Sequence, residues 1–407
     1  MMNFIDRQKH INARKLIIVP LSAIGLALSG NGLSAMAAET PPANSGKTFG
    51  DWCREYVSLN PEARNTVEVL LEKAGTVDCD AANQKLSSLA YLVLSGNEIS
   101  DTRPLQSLTR LTWLDLSDNQ ISDIKPLKSL TRLTRLELNN NQISDLKPLE
   151  SFTNLTRLNL DNNQISDIKP LESLNTLTWI ELSNNKISDV KSLQSLTNLT
   201  NLLVTDNKIS DITSFQSLTK LTELNLRYNQ ISDIKSLQSL TNLTNLVVLN
   251  NKISDITSLQ SLTKLTELNL DNNQISDLKP LQSLTKLTEL RLDNNQISDL
   301  KPLELLKNLI TLSLNNNKIS DIQPLQSLTN LINLYISNNK ISDLKPLQFL
   351  TDLTVLYIEK NQVSDIKPLQ SLTNLSYLNL SGNPIEPKTC PFQPESMSIC
   401  IWEPSNP

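Results

Sequence analysis

Hydrophobic residues recur along this chain with a period of 22 residues, from about residue 89 to residue 385. When each repeat is numbered from its first leucine, positions 1, 4, 6, 11, 14, 17 and 20 are apolar. In the second repeat these positions are Leu111, Leu114, Leu116, Ile121, Ile124, Leu127 and Leu130. The pattern keeps its phase through fourteen copies. The structural unit is therefore the whole repeat.

Each repeat predicts a short strand followed by an irregular return. Positions 4 to 6 alternate between apolar and polar residues, which indicates a strand with one buried face. Beyond position 9 the apolar spacing lengthens to three, which suits a 3₁₀ or irregular segment. One repeat cannot bury its leucines alone, so stacked repeats share one core. The predicted fold is an α/β solenoid, a horseshoe with a parallel concave sheet of about fourteen short strands and a 3₁₀ or irregular convex side.

Position 9 is asparagine in every repeat. An amide carries two donors and an acceptor, so an inward asparagine can satisfy backbone groups that a tight bend leaves buried. The alternative is an exposed turn asparagine, which strict phase with the leucines disfavours. We expect a structural ladder of Asn97, Asn119, Asn141, Asn163, Asn185, Asn207, Asn229, Asn251, Asn273, Asn295, Asn317, Asn339, Asn361 and Asn383.

Ser and Asp recur at positions 12 and 13, from Ser100-Asp101 to Ser364-Asp365. Aligned carboxylates can suggest a calcium ladder. The favoured interpretation is that each Asp caps the short helical segment after it, where Pro suits the first turn. No metal site is predicted.

The first 37 residues resemble nothing in the repeats. A basic start precedes an apolar run from Leu16 to Leu28, which is too short to span a bilayer comfortably, and Ala35-Met36-Ala37 is an A-x-A cleavage signature. We expect a signal peptide cut before Ala38, followed by a flexible leader at 38–48 and an exported protein.

The repeat array, at 87–385, needs a cap at each end because its terminal coils expose leucine. Residues 49–86 are predicted as the N-terminal cap, with a helix opened by Pro61 and stopped by Gly75. Residues 386–407 are predicted as an irregular C-terminal cap. Each cap holds two cysteines, so we expect the disulfides Cys53–Cys79 and Cys390–Cys400.

Composition excludes several functions. The only histidine, His10, lies in the predicted signal peptide, so the mature chain lacks a histidine base or metal ligand. No P-loop or dinucleotide-binding motif is present, and no cofactor is expected. Without residues 1–37 the chain has 33 Lys and Arg against 41 Asp and Glu, which argues against nucleic acid as a partner. We expect a non-catalytic protein.

Positions 3, 5, 7 and 8 face outward on the concave side and vary most. They carry twelve acidic and five basic residues, whereas position 15 on the convex back repeats lysine. Residues 195–238 and 239–282 differ at only eight positions, five of which lie on or beside this face. Exposed Trp, Tyr and Arg favour binding surfaces. The candidate ligand-binding residues are Trp113, Arg135, Arg157, Trp179, Arg227, Tyr228, Glu267, Glu289, Arg291, Tyr335, Tyr357 and Tyr377.

The frame L-T-x-L-x-x-L-x-L-x-x-N-x-I-S-D-I-K-P-L-x-S resembles the internalin-type leucine-rich repeats of bacteria, and its caps look like those of secreted cyanobacterial leucine-rich repeat proteins. The resemblance implies a protein partner on the concave face. The sequence lacks an L-P-x-T-G sorting motif, so wall anchoring is not implied. Two alternatives remain, a regulatory subunit of a phosphatase and a carbohydrate- or cell-wall-binding protein. We expect a monomer that is secreted, periplasmic or associated with the cell surface, without a membrane span in the mature chain.

Overall fold

The computed structural model describes residues 46–392 and 399–403. The predicted signal peptide, its cleavage site and most of the predicted leader lie outside the described residues. The chain begins with helices α1 (Phe49–Arg54), α2 (Pro61–Ala74) and α3 (Cys79–Ser88). The predicted helix at Pro61 is confirmed. Asn60 caps its N-terminus, and Gly75 ends it in the left-handed conformation at φ 68°.

The three helices cover the first coil of the solenoid. The Thr66 hydroxyl of α2 donates to the carbonyl of Asp101 (2.8 Å), and the Phe49 amide of α1 donates to the Ser107 hydroxyl (3.0 Å). The disulfide Cys53–Cys79 ties α1 to the start of α3, with the Cα atoms 5.6 Å apart. The first coil therefore has no bare leucine face toward the helices.

The end of the predicted leader belongs to this folded region. Thr48 caps α1 through a reciprocal pair of hydrogen bonds with Asp51. The side-chain amide of Gln106 donates to the carbonyl of Lys47 (3.1 Å). The Lys47 ammonium pairs with Glu55 and lies over the Trp52 ring. Lys47 and Thr48 thus belong to the folded cap although the sequence assigned them to the leader, because they have partners that the sequence pattern does not show.

Fifteen parallel strands, paired in chain order, form one open sheet in the described part of the chain. Fourteen of them occupy positions 3 to 5 of successive repeats, one residue earlier than the predicted positions 4 to 6. The strands, β1 to β15, are Tyr91–Val93, Trp113–Asp115, Arg135–Glu137, Arg157–Asn159, Trp179–Glu181, Asn201–Leu203, Glu223–Asn225, Asn245–Val247, Glu267–Asn269, Glu289–Arg291, Thr311–Ser313, Asn333–Tyr335, Val355–Tyr357, Tyr377–Asn379 and Cys400–Ile401.

The fifteenth strand corrects the sequence-based count of about fourteen. Prolines after Ile385 rule out another repeat, yet Cys400 and Ile401 return to pair with Leu378 and Asn379 of β14. The disulfide Cys390–Cys400, with its Cα atoms 5.9 Å apart, joins this strand to the chain that leaves the last coil. Both predicted disulfides are confirmed. The Cys390–Cys400 link helps to hold a strand that covers the last repeat edge.

Convex 3₁₀ segments complete the coils, as predicted. They are Arg103–Leu105, Lys125–Ser129, Lys147–Ser151, Lys169–Ser173, Lys191–Ser195, Thr213–Ser217, Lys235–Ser239, Thr257–Ser261, Lys279–Ser283, Lys301–Leu303, Gln323–Ser327, Lys345–Phe349 and Lys367–Ser371. The position-13 Asp lies one residue before the cap position. Asp123 Oδ1 accepts from the amide of Lys125 (2.9 Å), two residues ahead, so it satisfies the first helical N–H through an Asx turn.

The asparagines point inward, as predicted. Asn119 Oδ1 accepts from the amide of Ile99 in the preceding coil (2.8 Å). Its Nδ2 donates to the carbonyls of Leu94 (2.9 Å) and Leu116 (3.0 Å). Each asparagine from Asn119 to Asn383 therefore joins two coils on the side of the core where the strand turns away, whereas the side-chain amide of Asn97 in the first coil donates to Ser95 of its own coil. Together with leucines of zero exposure, this ladder fixes the position of every outward strand residue.

Candidate functional site: the concave strand face

Strand register arranges the outward side chains in columns. Leu114, at position 4, is buried, while its neighbours Trp113 and Asp115 face outward and are half-buried. The parallel register places position 3 of each strand beside position 3 of the next, as for Trp113 beside Arg135. The concave face therefore has a position-3 column and a position-5 column, followed by the turn residues at positions 7 and 8. Neighbouring members of a column are about 4.8 Å apart along the solenoid.

At the N-terminal end, the position-3 column combines aromatic rings and guanidinium groups. The Tyr91 and Trp113 ring centroids are 6.3 Å apart. The Arg135 guanidinium lies 4.6 Å from the centre of Trp113, and that of Arg157 lies 4.4 Å from Trp179. These contacts are within the range of cation–π attraction. The column thus contains two stacked groups, Tyr91–Trp113–Arg135 and Arg157–Trp179, and Glu137 lies near the arginine of each group.

Two carboxylates in the position-5 column already pair these arginines. Arg135 Nε lies 2.7 Å from Glu137, and Arg157 Nη2 lies 3.1 Å from Glu181. Trp179 Nε1 also donates to Glu181 (2.6 Å). Glu137 is only 7% exposed. Arg135 and Arg157 therefore hold the aromatic rings in place, and they offer less free positive charge than the sequence suggests.

In the middle of the face, Tyr228 has an unusual backbone conformation. Its φ is 55°, in the left-handed region that bulky residues avoid, and its side chain is 51% exposed. Position 8 has positive φ in all fourteen repeats, where twelve residues are Asn, Asp or Gly and the exceptions are Tyr228 and Lys360. The left-handed region costs an ordinary side chain about 1 kcal/mol. The chain therefore keeps an exposed aromatic ring here against a local conformational penalty.

Half-buried apolar side chains accompany Tyr228. The position-5 column carries Leu203 and Val247 on either side of Asn225. Leu249, at position 7, accepts the Tyr228 amide through its carbonyl (3.0 Å). All three aliphatic side chains retain some exposure. The adjacent Arg227 is exposed. A small apolar area with an aromatic edge thus lies at the centre of the concave face.

The position-3 column is acidic only in the middle coils, at Glu223, Glu267 and Glu289. Glu267 is exposed and accepts from the side-chain amide of Asn245 (2.7 Å). Glu289 follows on the next strand, where Arg291 Nε lies 2.6 Å from it. The charge of Glu267 is therefore less neutralised than that of Glu289, because Arg291 pairs with Glu289 on its own strand.

Three tyrosines form a stack near the C-terminal end. The Tyr335 and Tyr357 rings are 5.1 Å apart, and those of Tyr357 and Tyr377 are 4.6 Å apart. Hydrogen bonding to Tyr377 raises the pKa of Tyr357 to about 12, so its hydroxyl stays neutral at physiological pH. The three residues that the sequence grouped here do lie together. The twelve candidates as a whole fall into separate N-terminal, central and C-terminal clusters.

The sequence counted the turn carboxylates at position 7 among the outward charges, but it did not show that Asp161 and Asp271 are half-buried and hydrogen-bonded. Asp161 accepts from the amide of Ser183 in the next coil, and Asp271 from the amide of Asp293 (2.7 Å). Burial raises the pKa of each to about 6, with nearby Glu181 and Asp293 respectively adding to the rise. The available signal was Asn315, at the same position, whose Oδ1 accepts from Ser337 in the same way (2.8 Å).

Within residues 46–392 and 399–403, no cluster of three or more His, Cys, Asp or Glu side chains has the arrangement of a metal site. The helices in these ranges are too short or too polar to cross a membrane. The predicted lysines on the convex back, such as Lys279 and Lys301, are exposed. The concave face remains the surface where aromatic, apolar and acidic groups converge.

Comparison with known proteins identifies the repeats. The family model described as Leucine Rich repeats (2 copies) matches residues 87–129, 109–151, 131–173, 219–261, 263–305, 307–349 and 351–389. The crystal structure of an internalin, InlF of Listeria monocytogenes, superposes with a TM-score of 0.75 at 36% identity, covering 79% of this chain and 95% of that one. The chain belongs to the internalin-type leucine-rich repeat proteins.

Other solved structures extend this result. A leucine-rich repeat protein of Leptospira interrogans is similar to this internalin-type chain at 30% identity and a TM-score of 0.66, over 75% of this chain and 88% of that one. The functional domain of InlJ from Listeria monocytogenes shares the fold, with 23% identity and a TM-score of 0.68, over 83% and 76% of the two chains. Comparison with curated protein sequences gives no match.

Proposed function

We propose that this internalin-type protein is an exported, non-catalytic scaffold that binds a protein partner on its concave strand face. Tyr228 carries the proposal. An exposed tyrosine stands at the centre of the face, in a backbone conformation for which most other repeats use asparagine. Strained residues of this kind concentrate at functional sites, and exposed tyrosines are common anchors of protein interfaces.

The surroundings of Tyr228 support a protein partner. Leu203, Val247 and Leu249 supply apolar area, and the Tyr335–Tyr357–Tyr377 stack offers a second aromatic anchor. Glu267 lies on strand β9, between the coils that carry these two anchors. A partner with apolar side chains and a basic rim would match this arrangement. Kinship with internalins, which are protein-interaction scaffolds, favours the same function.

Export is the second part of the proposal. It rests on the signal-peptide pattern ending at Ala37, on two disulfides at opposite ends of the solenoid and on the internalin relatives. Disulfides persist in oxidising compartments outside the cytosol. The expected mature protein starts at Ala38. An intact mass that retains residues 1–37 in protein recovered outside the cytoplasm would contradict cleavage.

The decisive experiment is crosslinking of the mature protein in its native extracytoplasmic fraction, followed by mass spectrometry. We expect one protein to be enriched by the wild type and lost with Tyr228→Asn and Tyr357→Ala. The matched control is the back-face pair Lys279→Glu and Lys301→Glu, which should retain the partner. A glycan array run in parallel tests the carbohydrate alternative. Glycan binding without a captured protein overturns the proposal, as does loss of the partner only with the back-face pair.

A further inference from the structure

Four exposed apolar residues form a patch on one flank of the solenoid, away from the concave face. Among residues 46–392 and 399–403, eight large hydrophobic side chains are exposed, and half of them lie between positions 305 and 349. They are Leu305 (58% exposed), Ile310 (41%), Ile332 (38%) and Phe349 (50%). We call these four residues the lateral patch. Apolar side chains grouped in this way mark a contact surface more often than scattered ones do.

The lateral patch replaces hydroxyl residues that the other repeats use. Position 19 is serine in eleven of thirteen repeats and apolar only at Leu305 and Phe349. Position 2 is threonine in ten of fourteen repeats and isoleucine only at Ile310 and Ile332. Where the hydroxyls are present, they join adjacent coils. Ser327 Oγ donates to the carbonyl of Glu304 (2.9 Å), for example. The four apolar residues cannot form such bonds, and they expose apolar surface to solvent. Folding of the single chain does not require this exposed surface.

The four residues lie on consecutive coils. The amide of Ile332 donates to the carbonyl of Ile310 (2.9 Å), so these two side chains are direct neighbours. Leu305 and Ile310 flank a turn closed by the hydrogen bond from the Leu309 amide to the Leu306 carbonyl (3.1 Å). Phe349 occupies the same repeat position as Leu305, two coils further on. The patch therefore extends about 10 Å along the solenoid axis.

Opposite charges stand at the two ends of the lateral patch. Lys307 lies in the turn beside Leu305, and Asp352 lies in the turn beside Phe349. Both are exposed, and neither forms a salt bridge with any residue in the described ranges. The turn between them carries the neutral Thr329 and Asn330. The turn residues thus run from the positive Lys307 through a neutral turn to the negative Asp352, while the exposed Glu304 lies beside Leu305 just outside the turn.

We propose that the lateral patch is the contact of a symmetric homodimer of this chain. A two-fold axis that crosses the middle turn of the patch, beside Ile332, turns the patch end for end. Lys307 of each copy then faces Asp352 of the other, and Leu305 faces Phe349. This self-complementarity of charge and apolar area is what an isologous contact requires, and it selects a second copy over an unrelated partner. The concave faces stay open in the dimer, which replaces the monomer expected from the sequence.

The contact is small, so the dimer is expected to dissociate at concentrations on the order of 10 μM, as for other limited interfaces. Sedimentation equilibrium of the mature, disulfide-bonded protein over a wide concentration range measures this. Leu305→Ser with Phe349→Ser, and separately Ile310→Thr with Ile332→Thr, restore the residues that other repeats carry at those positions and should leave the fold intact. Each pair is expected to raise the dissociation constant by more than about tenfold. The control is Tyr228→Asn, which removes an exposed ring elsewhere and should leave dimerisation unchanged.

Charge reversal tests the orientation. Lys307→Asp alone and Asp352→Lys alone each place like charges together and should weaken the dimer. The double variant restores opposite charges and should recover dimerisation, most clearly at low salt. Thermal melts confirm that each variant is folded. The proposal is overturned by a wild type that stays monomeric at all concentrations, by patch variants that dimerise normally, or by a double reversal as weak as the single ones.

Discussion

Asn229 Oδ1 accepts a hydrogen bond from the backbone amide of Ile209, twenty residues earlier in the chain and one coil away (3.1 Å). Its Nδ2 donates to the carbonyls of Val204 (2.9 Å) and Leu226 (3.0 Å). The groups joined by these bonds are buried. Asn225, four residues earlier, instead lies on the outward face of β7 and makes two longer bonds, to Thr205 (3.2 Å) and to the Arg227 amide (3.3 Å).

Asn229→Ala should therefore lower the free energy of unfolding more than Asn225→Ala does. Asn229→Ala leaves buried backbone donors and acceptors without partners, which costs about 1–3 kcal/mol. Asn225→Ala removes only two long hydrogen bonds, one of them from the amide of the exposed Arg227, and costs about 0.5 kcal/mol. Urea denaturation midpoints of the two variants measure the difference. Equal losses would mean that the inward asparagines do not hold the coils together.

Asp161→Asn should stabilise the protein at neutral pH. Burial raises the pKa of Asp161 from 3.8 to about 6. At a pH between these two values the folded state therefore binds more protons than the unfolded state. Stability therefore falls as pH rises through this window, and the full penalty is present above pH 6. Asparagine keeps the acceptor for the Ser183 amide, as Asn315 does for Ser337. Allowing for partial solvent screening, we expect a gain of about 1–2 kcal/mol at pH 7.

Denaturation from pH 4 to pH 8 checks this prediction. The matched control is Asp161→Ala, which also removes the titrating group but loses the acceptor for Ser183. It should flatten the pH dependence without the gain at neutral pH. A wild type and an Asp161→Asn variant with identical pH profiles would show that Asp161 titrates normally.

Ser236→Pro should stabilise the convex side. Most repeats have proline at this position, and the buried Ser236 hydroxyl has no hydrogen-bond partner. Proline restricts the unfolded chain and should contribute about 0.4–1 kcal/mol. Ser214→Pro is the control, because the Ser214 hydroxyl donates to the carbonyl of Val190 (3.1 Å) and its loss offsets the gain. Thermal unfolding should rank Ser236→Pro above Ser214→Pro. The reverse order would show that the unpartnered hydroxyl is not a weakness.

The sequence predicts the solenoid well because its decisive signals are local and repeated. The spacing of Leu114, Leu116 and Asn119 alone determines which face is buried and where the strand turns. Strand β15 could not be predicted in the same way. Cys400 and Ile401 have no repeat around them, and only the three-dimensional return of the chain places them beside β14. Long-range closure of this kind leaves no periodic trace.

The sequence predicted which residues lie on the concave face, but it did not predict which of their charges are already paired. Position in the repeat was enough to put Arg135 and Arg157 on the concave face. It did not show that Glu137 and Glu181, on the same and adjacent strands, already pair them. The left-handed backbone conformation at position 8 does leave a signal in the sequence, because Asn, Asp and Gly dominate that position. That signal would have revealed Tyr228 and Lys360 as the two strained exceptions.

Tyr228→Asn should raise stability and lower partner binding together. Asparagine tolerates the left-handed conformation, so the free energy of unfolding should increase by roughly 0.5–1 kcal/mol. Loss of the ring should speed dissociation of the partner found by crosslinking. Tyr228→Ala separates the two effects, since alanine removes the ring but does not tolerate the left-handed conformation as asparagine does. If both variants bind like the wild type, Tyr228 is not an anchor.

Binding kinetics should distinguish the aromatic anchors from the acidic column. Tyr357→Ala removes the central ring of the stack and should raise the dissociation rate. Glu267→Lys should lower the association rate, most clearly at low salt, and Glu289→Lys should do so less because Arg291 already pairs with Glu289. Surface-binding measurements give both rates. If Lys279→Glu and Lys301→Glu on the convex back change the two rates as much as the concave-face variants do, the contact does not lie on the concave face.

The asparagine ladder makes the length of this protein adjustable. Each Asn reaches only its own coil and the one before, so removing 44 residues in frame leaves every surviving coil with a neighbour of the same shape. The near-identical stretches 195–238 and 239–282 have the form that a tandem duplication leaves behind. Recombination can thus lengthen the concave face in steps of about 10 Å. Point mutations at outward positions, such as the one that distinguishes Tyr228 from Asn272, can then give the new coils a different specificity while the core stays as it was.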